Sequence, residues 1–402
     1  MTRILVIGGG IAGTATALAL HKAGFEVTVH EAHPDTAGDI GAFLTLASNG
    51  MRAVAQLDAS DVVTGIGYPL RSMRVLDGQG AEMAHVPLGE ADDALLRYRC
   101  LRRGELNAVL QAEAIRRGIG LSHGSRLVSV EDGSDQVTAR FADGSVATAD
   151  LLVGADGLNS TVRRAIAPGA EPVYAGQSVF YGYTRSASVA EETGHITMVR
   201  GSTAAFGYAV SPDGETYWFA RVAGEAIPVE ELAHPSPSRW RERLVELLSK
   251  DATPAASIVA ASTDSLMATN ATEIPPGTPW RSGRRLIVGD AAHAASPATG
   301  QGASMALEDA VILAKSLRDM PDLDSALALY EACRRPRVEY NITVSGELSR
   351  GTRNPSSTGR APSAPRPGDD TLAALLDWDL DMRTVAGDTD QGPSDGPGAD
   401  GR

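Results

Sequence analysis

The sequence predicts an α/β fold with an α+β insert: a Rossmann-like nucleotide-binding domain, an antiparallel-sheet domain set into it, and a C-terminal helix. Three observations predict it. Residues 3–30 read as strand, glycine turn, helix and strand. Nine of the nineteen aromatic residues lie between Tyr174 and Phe219, several spaced two apart, as expected of strands with a populated face. After that stretch a short apolar run, 286–288, leads into Gly289-Asp290 and a second glycine turn, Gly300-Gln301-Gly302.

The elements follow in order. RILVI at 3–7 and FEVTVH at 25–30 are strands around a helix over 12–22. Residues 103–117 form a helix with Leu106, Val109, Leu110 and Ala114 on one face. The Asp-Gly pairs at 132–133 and 143–144 turn a small meander that ends near Asp150. Residues 151–153 are a buried strand ending at Gly154-Ala155-Asp156-Gly157. In the insert, residues 238–250 are helical, with Ser238 as the expected N-cap. A helix over 303–317 follows the second glycine turn, and a long one over 325–350 carries Pro336, where a kink is expected.

The expected domains are 1–171 for nucleotide binding, with an excursion toward the insert around 61–100. The antiparallel sheet takes 172–280, and 281–353 returns to the first domain and adds the long helix. Residues 354–402 are rich in Pro, Ser, Gly and Asp, and a disordered acidic tail is expected there, broken at most by one or two short amphipathic turns over 370–381. That tail biases the charge. Its last 37 residues, 366–402, hold nine Asp and three Arg, so −6 of the net −14 sits there and the body is only mildly acidic. Nucleic acid is therefore not an expected partner. Cys100 and Cys333 lie far apart and form no C-x-x-C pair, which argues against a disulfide scaffold, a dithiol centre or a metal site. A strand beginning by Arg3 leaves no room for a signal peptide, and no run approaches ~18 apolar residues. A cytoplasmic protein without membrane contact is the expectation.

Gly8-Gly9-Gly10-Ile11-Ala12-Gly13 has the context a dinucleotide fingerprint requires, strand before and helix after. Gly8 suits the tight turn, Gly10 the approach of a pyrophosphate and Gly13 the packing of helix on strand. The N-terminal Ile11 and Ala12 offer free N–H groups, and Glu31, ending the second strand, can accept from a ribose diol. Asp290 sits at the C-terminal edge of its strand, where open α/β sheets contact ligands. Pro297 stiffens the following loop. Gly300, Gly302 and Ala303 bring backbone N–H groups and the positive end of a helix toward an anionic ring.

Taken together, the glycine fingerprint, the segment Gly154-Ala155-Asp156-Gly157-Leu158-Asn159-Ser160-Thr161-Val162-Arg163 and the segment around Asp290 resemble the class A, single-component flavoprotein monooxygenases over about residues 3–350. The resemblance implies FAD as cofactor and a reduced nicotinamide, NADPH or NADH, that docks transiently without a domain of its own. It implies that Asp290 meets the ribityl chain and that Pro297 lies beside the oxygen-reactive carbon of the flavin. Asp156 would lie where flavin and nicotinamide sites meet, and Arg103, opening R-G-E-L, would contact the cofactor. For His293 a packing or hydrogen-bonding role is expected rather than acid–base chemistry.

The implied reaction inserts one atom of O2, most often as a hydroxyl, into an aromatic or polycyclic small molecule of the kind met in secondary metabolism. The alternatives are a flavoprotein oxidase or dehydrogenase without oxygen insertion, and a non-catalytic flavin protein that shields a pathway intermediate. A monomer or homodimer is expected. For the substrate, Tyr181 and Tyr183, Phe206 and Tyr208, and Tyr217 and Phe219 form three i, i+2 pairs. They serve either as an aromatic floor or as core. No cluster of Arg or Lys marks this sheet, which favours a neutral or bulky aromatic substrate.

Overall fold

The computed structural model describes residues 2–36, 41–90, 92–186, 193–262, 266–352 and 370–390. A parallel sheet forms the base. Its strand order is Arg281–Ser282, Arg285–Ile287, Leu151–Gly154, Arg3–Ile7, Glu26–His30 and Gly120–Ser122, antiparallel only at the first pair. From Ile4 to Ile7 every residue is buried, because helices cover both faces of such a sheet. The helices Ile11–Lys22 and Gly302–Asp319 pack against one another and join the same apolar core. Leu127–Asp132, Val137–Phe141 and Val146–Ala149 form the expected meander.

The second sheet has the order Met267–Glu273, Val173–Thr184, Thr216–Ala223, Ala205–Val210, His195–Arg200, Ser72–Asp77 and Glu82–Pro87. It is antiparallel except where His195–Arg200 runs parallel to Ser72–Asp77. One face carries a core with the helices Pro237–Leu248 and Ala255–Ala260. The cap expected at Ser238 falls two residues earlier: Pro237 takes the first turn and Ser236 the cap position, since proline's fixed φ suits a helix start. The small sheet Phe43–Leu46, Tyr98–Arg102 and Tyr68–Leu70 lies against the other face.

The long C-terminal helix runs Leu323–Arg350 with Pro336 inside it. Beyond it, the expected disorder does not hold for 370–390, where two helices, Asp370–Leu376 and Met382–Asp390, dock on the parallel-sheet half. Leu372, Leu376 and Met382 are fully buried, and the cations of Lys22 and Arg318 both pack on the Trp378 ring. Apolar residues at helical spacing outweigh the acidic composition around them. The rest of the expected tail, 354–369 and 391–402, lies outside the described residues.

Candidate active site

Three loops at the C-terminal edge of the parallel sheet build one side of the site. In the first, Gly8 N donates to His30 O at 2.8 Å and φ is +103°, a conformation that favours glycine. A Cβ on Gly8 would come within 2.4 Å of Ala155 O, and one on Gly13 within 1.8 Å of Gly8 O. A Cβ on Gly10 would meet nothing within 4 Å. Two glycines are thus fixed by packing, and the third opens onto free space. The helix Ile11–Lys22 begins there with no side-chain cap and no acidic residue in its first turn. Its N–H groups, including those of Ile11 and Ala12, are left for an anion. Glu31 accepts from Gly9 N and His33 N, both at 2.6 Å. Gln111 Nε2 holds Gly9 O at 2.7 Å.

The second loop follows Leu151–Gly154. Asp156 accepts from Ser160 Oγ at 2.5 Å, Thr161 N at 2.7 Å and Val162 N at 3.2 Å. Its carboxylate therefore caps the helix Thr161–Ile166. Burial raises its pKa, and the Ser160 hydroxyl and backbone donors oppose that rise. Arg163 is fully buried and donates to Leu158 O, Ala170 O and Ala291 O. The last bond, at 3.1 Å, ties this loop to the third.

In the third loop Gly289 has φ +57°, and a Cβ there would meet Ala12 Cβ at 2.7 Å, so the two glycine turns abut. Asp290 is exposed, and among the described residues its carboxylate has no hydrogen-bond or ion-pair partner. Pro297 is also exposed and opens a single 3₁₀ turn, Pro297–Thr299. Gly300 follows at φ +66°, and its Cβ position lies 3.4 Å from Thr45 Oγ1. Gly302 opens the helix Gly302–Asp319 with free space before it, and Ala303 is partly buried behind. Arg103 starts the helix Arg103–Arg116, its exposed side chain beside Gly41. Two uncapped helix starts, a lone carboxylate and a turn with no room for side chains are a donor set that fits a flavin dinucleotide.

Beneath the third loop lies a buried ionic network that the sequence reading missed. His293 Nε2 contacts Asp309 Oδ2 at 2.5 Å, and Gly289 N donates to the same oxygen at 3.0 Å. Arg334 bonds Asp309 Oδ1 at 2.7 Å and Glu308 Oε2 at 2.5 Å. Arg337 bonds both oxygens of Glu308, at 2.8 and 2.9 Å. Asn49 Nδ2 joins Glu308 Oε1 to Gln301 Oε1, the residue at the cap position of Gly302–Asp319. Burial opposes ionisation of Asp309, but His293 and Arg334 outweigh it and hold the group at about 2. His293 thus has the hydrogen-bonding role expected of it. A signal was present: Glu308-Asp309 interrupts an apolar helix, and Arg334 and Arg337 stand three apart on the helix that covers it.

The facing wall is aromatic. Tyr181 lies opposite Phe219 and Tyr183 opposite Tyr217. Phe43 packs on three of these rings, at 5.6 Å from Tyr217, 6.1 Å from Phe219 and 6.4 Å from Tyr183. Arg102 lies 4.2 Å over the Tyr183 ring and pairs with Glu215 at 2.8 Å. Phe206 and Tyr208 do not belong to this wall. They lie opposite Ala220 and Trp218, on the other face, where Phe206 stacks on Trp218 at 5.7 Å above the insert's helices. Side chains alternate along a strand, so a shared spacing of two fixes a shared face only within that strand.

Among the described residues no group of three His, Cys, Asp or Glu could hold a metal ion, and no helix is long and apolar enough to cross a membrane. A family profile described as an FAD binding domain matches residues 1–345. The aurachin C monooxygenase/isomerase of Stigmatella aurantiaca is 32% identical, the match covering 87% of this chain and 88% of the relative. The 3-amino-4-hydroxybenzoate 2-monooxygenase PtmB3 of Streptomyces platensis is also 32% identical, over 84% of this chain and 85% of its own. The crystal structure of Klebsiella pneumoniae HpxO with FAD and uric acid superposes with a TM-score of 0.78 at 26% identity, covering 97% of this chain and 96% of that one.

Proposed function

The chain belongs to the FAD-binding family and is an FAD-dependent monooxygenase, and we propose that it hydroxylates an aromatic ring held between the third loop and the aromatic wall. One observation carries this reading. Thr45 faces the Gly300 turn, its Oγ1 3.4 Å from where a Cβ on Gly300 would stand, and Phe43, two residues earlier on the same strand, packs on Tyr183, Tyr217 and Phe219. A single strand therefore links the two walls of one cleft. Relatives named for a quinolone-type and an aminohydroxybenzoate reaction are consistent with a flat ring between those walls.

FAD, when bound, accepts hydride from NADPH or NADH and activates O2. This chain's residues position and shield. The N–H groups after Gly10 hold the pyrophosphate at the start of the first helix, and Glu31 orders the turn on the ribose side. Asp290, free of other partners, accepts from the ribityl hydroxyls. Arg103 contacts the cofactor from the start of its helix, and Asp156 fixes the turn between the flavin and nicotinamide positions. The N–H groups of Gly302 and Ala303 stabilise negative charge on the ring, and Gly300 lets the backbone approach it. Pro297 and the rings of Phe43, Tyr181, Tyr183, Tyr217 and Phe219 exclude water from the reacting face.

The test is purification with flavin, a screen of aromatic compounds for stimulated NADPH or NADH oxidation, and mass detection of products under ¹⁸O2. One labelled oxygen per nicotinamide is expected. Hydrogen peroxide with no labelled product would mean an oxidase, and flavin binding without stimulated turnover a shielding protein.

A further inference from the structure

We propose that Asn341, Ser345 and Ser349, on the long helix Leu323–Arg350, are positioning residues that hold the Pro297–Gly300 turn against the flavin ring. They thereby set the ring's reduction potential and its access to water. The proposal rests on the cofactor placement given above, with the third loop beside the ring.

The three residues are spaced by four, so they lie along one face of the helix. Arg334 and Arg337 stand on the same face one to two turns earlier, and all five residues are at most 8% exposed. Thr299 Oγ1 donates to Asn341 Oδ1 at 2.9 Å. An amide oxygen only accepts, so the single hydroxyl proton of Thr299 is committed there. Ser345 Oγ therefore donates to Thr299, at 2.8 Å. At the other end of the turn Ser296 Oγ bonds Ser349 Oγ, both residues being buried. The turn is thus pinned on both sides, just before Pro297 and just before Gly300.

Its own closure is weak. Pro297–Thr299 is a single 3₁₀ turn in which Gly300 N donates to Pro297 O at 3.2 Å, and such turns have poor hydrogen-bond geometry. The helix that pins it is itself anchored on both flanks. Arg334 and Arg337 bond Glu308 and Asp309 beneath the loop. Arg350 bonds Glu273 at 2.9 Å, and a Cβ on Gly346 would come within 2.6 Å of the same carboxylate. The last turns of the helix therefore rest on the strand Met267–Glu273 of the second sheet. A loop referred to a rigid helix keeps its backbone N–H groups at a fixed distance from the ring. Ser345 and Ser349, at 0% and 1% exposed, act through the loop in front of them.

The test uses the FAD-loaded enzyme with dithionite and O2, and needs no organic substrate. Thr299→Val keeps the side chain's shape and removes its hydroxyl, whereas Thr299→Ser keeps the hydroxyl. Thr299→Val and Ser345→Ala should each make the flavin potential about 10–30 mV more negative. That is a twofold to tenfold loss of support for the reduced ring, the worth of one hydrogen bond. After reduction by dithionite and mixing with O2, the oxidised absorbance should return about twofold to tenfold faster, because a loosened turn admits water to the reacting face. Thr299→Ser should match the unaltered protein in both readouts. Since Ser345 acts through Thr299, the double variant should shift no further than Thr299→Val alone. An unchanged potential and reoxidation rate in Thr299→Val and Ser345→Ala, whatever happens to Tm, would overturn the proposal. So would equal shifts in Thr299→Ser, or additive shifts in the double variant. Failure of the monooxygenase reading would show separately, as no labelled oxygen in any product.

Discussion

The two walls of the cleft treat buried charge in opposite ways. On the flavin side, Glu308, Asp309, Arg334 and Arg337 are almost wholly excluded from water, and each is bonded to an opposite charge at 2.5–2.9 Å. On the substrate side, Arg221 Nε, Gln177 Oε1 and the Tyr183 hydroxyl are buried with no partner. The exposed Asp290 also lacks one, at the rim where the cofactor would enter. Paired groups define the fold; unpaired groups around a cleft define what it is built to hold. Substitutions on the two walls should therefore separate stability from binding.

The largest effect is expected at Glu308. Replacing it with Ala leaves Arg334 and Arg337 buried beside a missing charge, a loss of about 3–5 kcal/mol measured by denaturant unfolding. A loss below about 1 kcal/mol would break the contrast. The same network should be visible in acid. The folded pKa of Asp309 lies at about 2, below its ordinary value, so its contribution is complete above that ordinary value. It is lost as pH falls toward 2. Asp309→Asn should flatten the acid limb of stability against pH, and an unchanged limb would place the acid sensitivity elsewhere.

Asp290→Ala should do the reverse. With no partner to lose, stability should move by no more than about 0.5 kcal/mol, while FAD affinity falls about tenfold, the worth of one charge-assisted bond. Apoprotein melting and flavin titration read the two separately. Unchanged FAD affinity would remove Asp290 from the cofactor site.

Legibility in the sequence follows the same division. Gly8, Gly13 and Gly289 answer to contacts within one turn or between two adjacent turns, and such local demands leave a fixed spacing in the chain. The wall opposite depends on strand register. Phe206 and Tyr208 share their spacing with Tyr217 and Phe219 yet face the other way, because Gly207 rather than Phe206 lies opposite Phe219. Nothing within either strand records that offset. In the Asp-rich tail, composition hid how much would fold: the short turns expected over 370–381 are two helices that reach Asp390. Leu372, Leu376 and Met382 bury themselves there, and Lys315 donates to the carbonyls of Leu375 and Asp377.

The smallest effect, and the finest probe of the contrast, is Tyr183→Phe. The ring is held by Arg102 above it and by an edge-to-face contact with Tyr217 at 4.9 Å, and Phe keeps both. Only the hydroxyl goes. A buried hydroxyl without a bond costs the folded protein free energy, so its removal should leave stability unchanged or raise it by up to about 1 kcal/mol. If that hydroxyl instead donates to bound substrate, KM should rise severalfold with kcat nearly constant, because the lost bond is present before and during the reaction. A stability gain together with a KM increase is the expected pair. A destabilised Tyr183→Phe would show that the hydroxyl serves the fold, and would move Tyr183 from the wall that binds to the wall that holds.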